Sequence, residues 1–298
     1  MNTVPVGAVS LIAPRDLVIE RLSVHLMMRY QLLMASLTDP ARELSDIAKR
    51  LSEPSPEKGA SYLAAKFKVG LWSTEFFKIV ACIFERADQV EEILRRSQLD
   101  PETVESGLED LRIFKAGFTS AALVNPWNAA GNGITAMRDH GVRLSYFQDT
   151  VRASVKYPKL TDDEIAEFIE LIDAYIAQVQ ENEDEHLFVR QAIVDGLSAF
   201  RFQLKYIGWM GAAYALVAFR EVMFVNDVST NFYGQQSNPD AGAFLSGMRD
   251  IIRKFKAKVD EAKSYSDAAT FLVDTYRFSS AVVTPLLVAS QIRLLGHG

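Results

Sequence analysis

Residues 182–226 constrain the fold of this chain more than any other stretch. Asn182-Glu183-Asp184-Glu185 puts an Asx residue in N-cap position with an acid three places on. That is a helix-start pattern, and an acidic first turn suits the positive end of the helix dipole. Downstream, Ile193, Leu197, Phe200, Leu204, Ile207, Gly211, Tyr214 and Ala218 recur by four and three. This is the seam spacing of helices packed at a shallow angle. A second apolar line follows Gly208, Ala212, Ala215, Phe219 and Val222. Two apolar faces require the C-terminal half to be surrounded by other helices. The small residues Gly208, Gly211, Ala212, Ala213 and Ala215 would let a neighbouring backbone come close. Unbroken, such a helix spans roughly 65 Å at about 1.5 Å per residue. The sequence therefore predicts an all-α, elongated multi-helix bundle with one very long central helix over about 183–226, or a kink near Gly208.

Other helix starts are well marked. Asp39-Pro40, Ser55-Pro56, Asp100-Pro101 and Asn238-Pro239 pair a capping residue with proline at the first helical position. Thr161-Asp162-Asp163-Glu164 reads as a capping box. Helices are expected over 15–37, 40–52, 57–97 with a break near Gly70, 101–118, 142–154, 162–180, 240–262 and 265–295, the last kinked at Pro285. Period-two alternation and β-branched clusters are sparse, so no strand is expected. The organisation read from this pattern is a tail over 1–14, a helical half over 15–118, an irregular hinge over 119–141 and a second helical half over 142–298.

Hydrophobic residues make up 49% of the chain, enough for a sizeable core. The net charge of −6 argues against general nucleic-acid binding. The only cysteine, Cys82, excludes an internal disulfide and a cysteine zinc site, and fits a reducing, cytoplasmic setting. It lies in the apolar run 76–84, so it reads as a core residue. Residues 1–14 lack the basic start of a secretory signal. The best membrane candidate, residues 206–219, is shorter than the roughly 20 residues a span needs. Lys205, Arg220 and Glu221 bracket it, so it reads as a buried core helix.

Two loops carry the candidate binding residues. The first contains Asn125, Trp127 and Asn128, with Arg138 and His140 following. As a binding loop it would offer an aromatic platform, amide donors and a cation; as a connection it would use Trp127 to anchor itself to the core. The second spans 226–238 and contains Asn226, Asp227, Thr230, Asn231 and Tyr233. Its opening Asn-Asp-x-x-Thr resembles the metal-binding motif of class I terpene synthases, which are also all-helical. In that motif an Asn or Asp, a Ser or Thr four places on, and an acid four further hold Mg²⁺ on a diphosphate. Asn226 and Thr230 match, but Gly234 stands where the acid belongs. Glu85-Arg86-Ala87-Asp88 puts an arginine where the partner motif needs an acid. The other reading is a polar connection with Phe232 and Tyr233 packed beneath it.

No cofactor or metal is expected. Glu183-Asp184-Glu185-His186 has the Glu-x-x-His spacing of ferritin-like bundles, but His25, His140 and His297 lack an acid three residues before them. Charge, by contrast, is segregated. Residues 161–185 carry Glu164, Glu167 and Glu170 among ten acids and no Lys or Arg; residues 249–263 carry Lys254, Lys256 and Lys258 among six basic residues. Such patches either lie solvated or pair, within the fold or head-to-tail between copies. The expectation is a non-enzymatic helical bundle acting through protein–protein contacts, assembling with itself as a homo-oligomer. The alternatives are a membrane-active protein of the α-helical pore-forming kind, which releases residues 206–219, and a metal-dependent enzyme of the isoprenoid-synthase kind.

Overall fold

Aspartates before proline open helices as their chemistry dictates. In the computed structural model, which describes residues 37–181, 187–235 and 244–263, Asp39 Oδ1 accepts the Arg42 N–H at 3.0 Å and opens α1 (Pro40–Leu51). Ser55-Pro56 makes a turn instead: the Glu57 N–H donates to Ser55 Oγ at 3.2 Å, and α2 runs later, over Gly59–Phe67. After the break expected near Gly70, α3 covers Thr74–Arg96. Asp100 caps α4 (Pro101–Ala116) by accepting the Thr103 N–H at 2.9 Å. Next come α5 (Ser120–Val124), a π-helical turn at Ala136–His140, a 3-10 stretch at Gly141–Phe147 and α6 (Gln148–Ser154). The capping box before α7 (Asp162–Glu181) is reciprocal: the Thr161 N–H donates to Glu164 Oε2 at 2.8 Å and the Glu164 N–H to Thr161 Oγ1 at 3.2 Å. Then follow α8 (Leu187–Lys205), α9 (Ala212–Gln235) and α10 (Ser246–Lys263). The described residues are all-α, about 80% of them helical. The small departure is a two-residue antiparallel pairing of Leu37–Thr38 with Tyr157–Pro158. The tail over 1–14, the helix over 265–295 and the helix starts at Asn182 and Asn238 lie outside the described residues, as does all but Leu37 of the helix over 15–37.

Two apolar clusters hold the described helices together. One gathers Leu44, Ile47, Phe67, Phe76, Ile83 and Phe114, and takes Leu123, Trp127, Ile134 and Met137 from the 119–141 stretch. The other gathers Phe168, Ile172, Ile193, Phe200, Phe219 and Phe255. The chain crosses from the first to the second between Val151 and Tyr157, and Tyr206 and Met210 return to the first.

That return breaks the single central helix at the place where a kink was the other expectation, beside Gly208. After α8 come Tyr206, one turn at Ile207–Met210, and then Gly211 at φ +100° before α9 begins. Side chains from α1 and α3 satisfy the backbone groups that the break exposes. Arg86 donates through Nη2 to the Trp209 carbonyl and through Nη1 to Glu43 Oε2 at 3.0 Å. Glu43 Oε1 accepts the Ala212 N–H at 3.0 Å. An L-residue seldom adopts this φ, and a Cβ on Gly211 would lie 2.6 Å from Glu43 Oε2 and 2.9 Å from Arg86 Cδ. Gly211→Leu is therefore expected to destabilise by about 1–3 kcal/mol or more. A thermal melt identical to wild type would contradict this placement.

Candidate functional site

The first predicted loop is stitched into the core. Trp127 is fully buried, stacked on Tyr62 with ring centroids 4.9 Å apart, and its indole N–H donates to the Leu51 carbonyl at 3.0 Å. The Trp127 N–H donates to the Glu57 carbonyl at 2.8 Å and the Asn128 N–H to the Ser55 carbonyl at 3.1 Å. Asn125 turns its side-chain amide back to the Ala121 carbonyl at 2.9 Å. Of the two readings of this loop, these contacts match the connection that anchors itself to the core through Trp127, and not the aromatic platform: no face of the indole is open. Arg138 lies on the surface and pairs with its neighbour Asp139 at 2.9 Å.

His140 goes elsewhere. It ends the π-helical turn, a rare geometry that places its Nδ1 2.8 Å from Asp110 Oδ1 on α4. Arg143 reaches the same carboxylate at 3.3 Å, and the Asp110 side chain is only 4% exposed. Asp110, Arg143, Ser106, Tyr146 and Phe147 line an open hollow of about 360 Å³ between α4 and the 3-10 stretch. Sequence spacing left Asp110 unmarked, because its partners lie on another element.

The second predicted loop is no loop over its described residues. Asn226, Asp227, Thr230, Asn231 and Tyr233 all sit within α9, which runs to Gln235. Tyr233 is buried against Phe232 and Phe244, while Asp227 and Asn231 face outward. Asn226 Oδ1 and Thr230 Oγ1, one helical turn apart, are buried without a hydrogen-bond partner among the described residues. No group of three or more His, Cys, Asp or Glu side chains there could hold a metal ion. Cys82 is buried, and burial pushes its thiol up to about 12, away from the range of reactive cysteines.

The opposite charges on α7 and α10 meet inside the chain. Lys258 lies 2.8 Å from Glu164, and Lys254 lies 3.2 Å from Glu167. Lys258 and the Thr161 hydroxyl and N–H hold the Glu164 carboxyl below its usual range against the opposing effect of burial. Glu170 and Lys256 stay exposed. Such pairs contribute up to about 1 kcal/mol each in water and weaken with salt. Reversing Lys254 and Lys258 to Glu should lower the melting temperature modestly at low ionic strength. Adding Glu164→Lys and Glu167→Lys should restore it. A melting temperature that ignores all four changes would contradict these pairs.

Sequence reasoning also passed over two features. One is the Arg86–Glu43 pair, visible in retrospect because Arg86 falls in register with the apolar positions Ile79, Ile83 and Val90 of α3. The other is exposed apolar surface. Leu71, Trp72 and Phe77 stand out at the turn between α2 and α3; Leu187 and Phe188 open α8, and Phe224 and Val228 lie one turn apart on α9. Among the described residues no helix is long and apolar enough to cross a membrane. Comparisons with protein families, with curated proteins and with solved structures find no match.

Proposed function

We propose that this protein works by protein–protein contact, assembling with copies of itself through the outward faces of α8 and α9, and that it is not an enzyme. The observation that carries this reading is the exposure of large apolar side chains on α8 and α9, two helices of the second cluster. Phe188 is 75% exposed and Phe224 63% exposed, with Leu187 and Val228 beside them in sequence or one helical turn away. Apolar surface of this kind is characteristic of the centre of an interface rather than of a solvated face. Because Lys254 and Lys258 already pair with Glu167 and Glu164, the charged helices are less suited to join copies than the apolar face is. Replacing Phe224 and Val228 together by Asp is the direct test. By light scattering the wild type should have the mass of an oligomer, and the double variant should shift towards the monomer with its helical spectrum retained. A wild type that is monomeric at every concentration, or a variant with wild-type mass, would overturn the proposal.

A further inference from the structure

The turn between α2 and α3 departs from what its backbone demands. Lys68 ends α2 in the left-handed region at φ +57°, and Trp72 follows in the same region at φ +58°. Trp72 is the third residue of a tight turn closed by the Ser73 N–H donating to the Gly70 carbonyl at 3.1 Å. Glycine suits a positive φ at such a place. Here glycine stands two positions earlier, and a tryptophan occupies the strained one. Strain of this kind clusters where a side chain is held out for a purpose.

The turn is also apolar at its tip. Leu71 is 51% exposed, Trp72 47% and Phe77 53%. Trp72 stacks on Phe77 at 5.9 Å and meets Phe76 edge-on at 5.5 Å. Behind it Phe76 touches Phe67, which packs on Trp209 at 4.9 Å, so the tip rests on a rigid base in the first cluster. Lysines are linked to the tip by sequence or through shared rings. Lys68 belongs to the turn itself. Lys78 places Nζ 5.3 Å from the Phe202 ring, Lys205 places Nζ 5.1 Å from the Tyr206 ring, and these two rings lie 4.9 Å apart. Lys66, two residues before Lys68, pairs by contrast with Glu53, and Arg86 on α3 pairs with Glu43. In the turn and the first turn of α3 the only acid is Glu75. In a chain of net charge −6, this patch has the opposite sign.

We propose that the turn docks on an anionic lipid surface, with Leu71, Trp72 and Phe77 entering the headgroup region and Lys68, Lys78 and Lys205 contacting lipid phosphates. Consecutive apolar side chains on a protruding turn suit a fluid interface, because a bilayer asks for no matching hydrogen bonds. Tryptophan favours that depth, lysine stems lie along apolar surface while their heads reach phosphate, and clustered lysines draw a protein to anionic leaflets. An acidic protein partner would match the charge, but Gly70 and Leu71 offer no polar side chain to specify one and Trp72 only a single indole N–H. This contact is separate from the self-assembly of α8 and α9, and either stands without the other.

The test is flotation of the full chain with vesicles of phosphatidylcholine, with and without phosphatidylserine. Binding should be at least on the order of tenfold stronger on the anionic vesicles and should fall with added salt. Tryptophan emission should shift to the blue on binding. Trp72→Gly, whose φ glycine adopts without strain, should keep the helical spectrum and lose both the binding and the shift. Lys68→Glu with Lys78→Glu and Lys205→Glu should lose the preference for anionic vesicles. Equal binding to both vesicle types, wild-type binding by the Trp72→Gly and triple-lysine variants, or capture by polyglutamate with no vesicle binding would each overturn the proposal.

Discussion

Arg86→Met should destabilise the fold by about 3–5 kcal/mol, because it leaves a carboxylate buried without its counter-charge. The Arg86 side chain is 1% exposed and that of Glu43 12%. Arg86 also satisfies the Trp209 and Cys82 carbonyls, so its removal strips several acceptors at once. Replacing both partners, Arg86→Met with Glu43→Leu, should recover much of the loss, although the Ala212 N–H then lacks its acceptor. The pH dependence has a definite sign. Burial pushes the Glu43 carboxyl above its ordinary range, with Arg86 and the Ala212 N–H pulling the other way. A carboxyl raised in the folded state favours folding when protonated, so its contribution is present at low pH and lost as pH rises through the folded value. Without Arg86 that rise is larger, and the deficit of Arg86→Met should shrink as pH falls through the carboxylate range. Urea unfolding of the three proteins across pH checks both statements. A single variant within about 1 kcal/mol of wild type would remove Arg86 from the centre of the fold.

Trp127→Ala should also be severe, about 3–5 kcal/mol. The indole fills space under the loop, stacks on Tyr62 and joins the loop to α1 through the Leu51 carbonyl. The fit is tight enough that a Cβ on Gly133 would lie 2.1 Å from the indole ring. Gly133→Ala should therefore destabilise through the same contact, and with Trp127→Ala the two losses should not add. Denaturant titration of the single and double variants decides this. Unchanged stability in Trp127→Ala would return this residue to the role of an open aromatic platform.

Local chemistry made much of the fold legible. Asp39 and Asp100 cap the helices they precede, and the Thr161–Glu164 box closes reciprocally, because each signal acts within four residues. The seam from Ile193 to Ala218 was legible as buried surface, and a kink near Gly208 was one of its two readings, but a full break into two helices was not legible. Its periodicity runs through Gly211, and the groups that fix the break, Arg86 and Glu43, come from distant helices. Tertiary context also overrode local preference at residues 226–235. Asn226, Ser229, Thr230 and Asn231 favour turns, yet burial of Val222, Ser229 and Tyr233 keeps the segment helical. Complementary charge on the two helices was readable in composition; that Lys258 meets Glu164 within one chain required the packing of α7 on α10. The break near Gly70 was legible, but the left-handed tryptophan at position 72 was not, because it is a property of the backbone and not of the residue type.

Sedimentation of the wild-type chain across a salt series tests most directly whether opposite charges close the fold while apolar faces join the copies. The expected result is an oligomer whose mass holds or grows as salt rises, since salt screens surface charge and leaves apolar burial intact. An oligomer that dissolves into monomers at high salt would contradict this and return the joining role to the charged helices; so would a chain that is monomeric in every buffer.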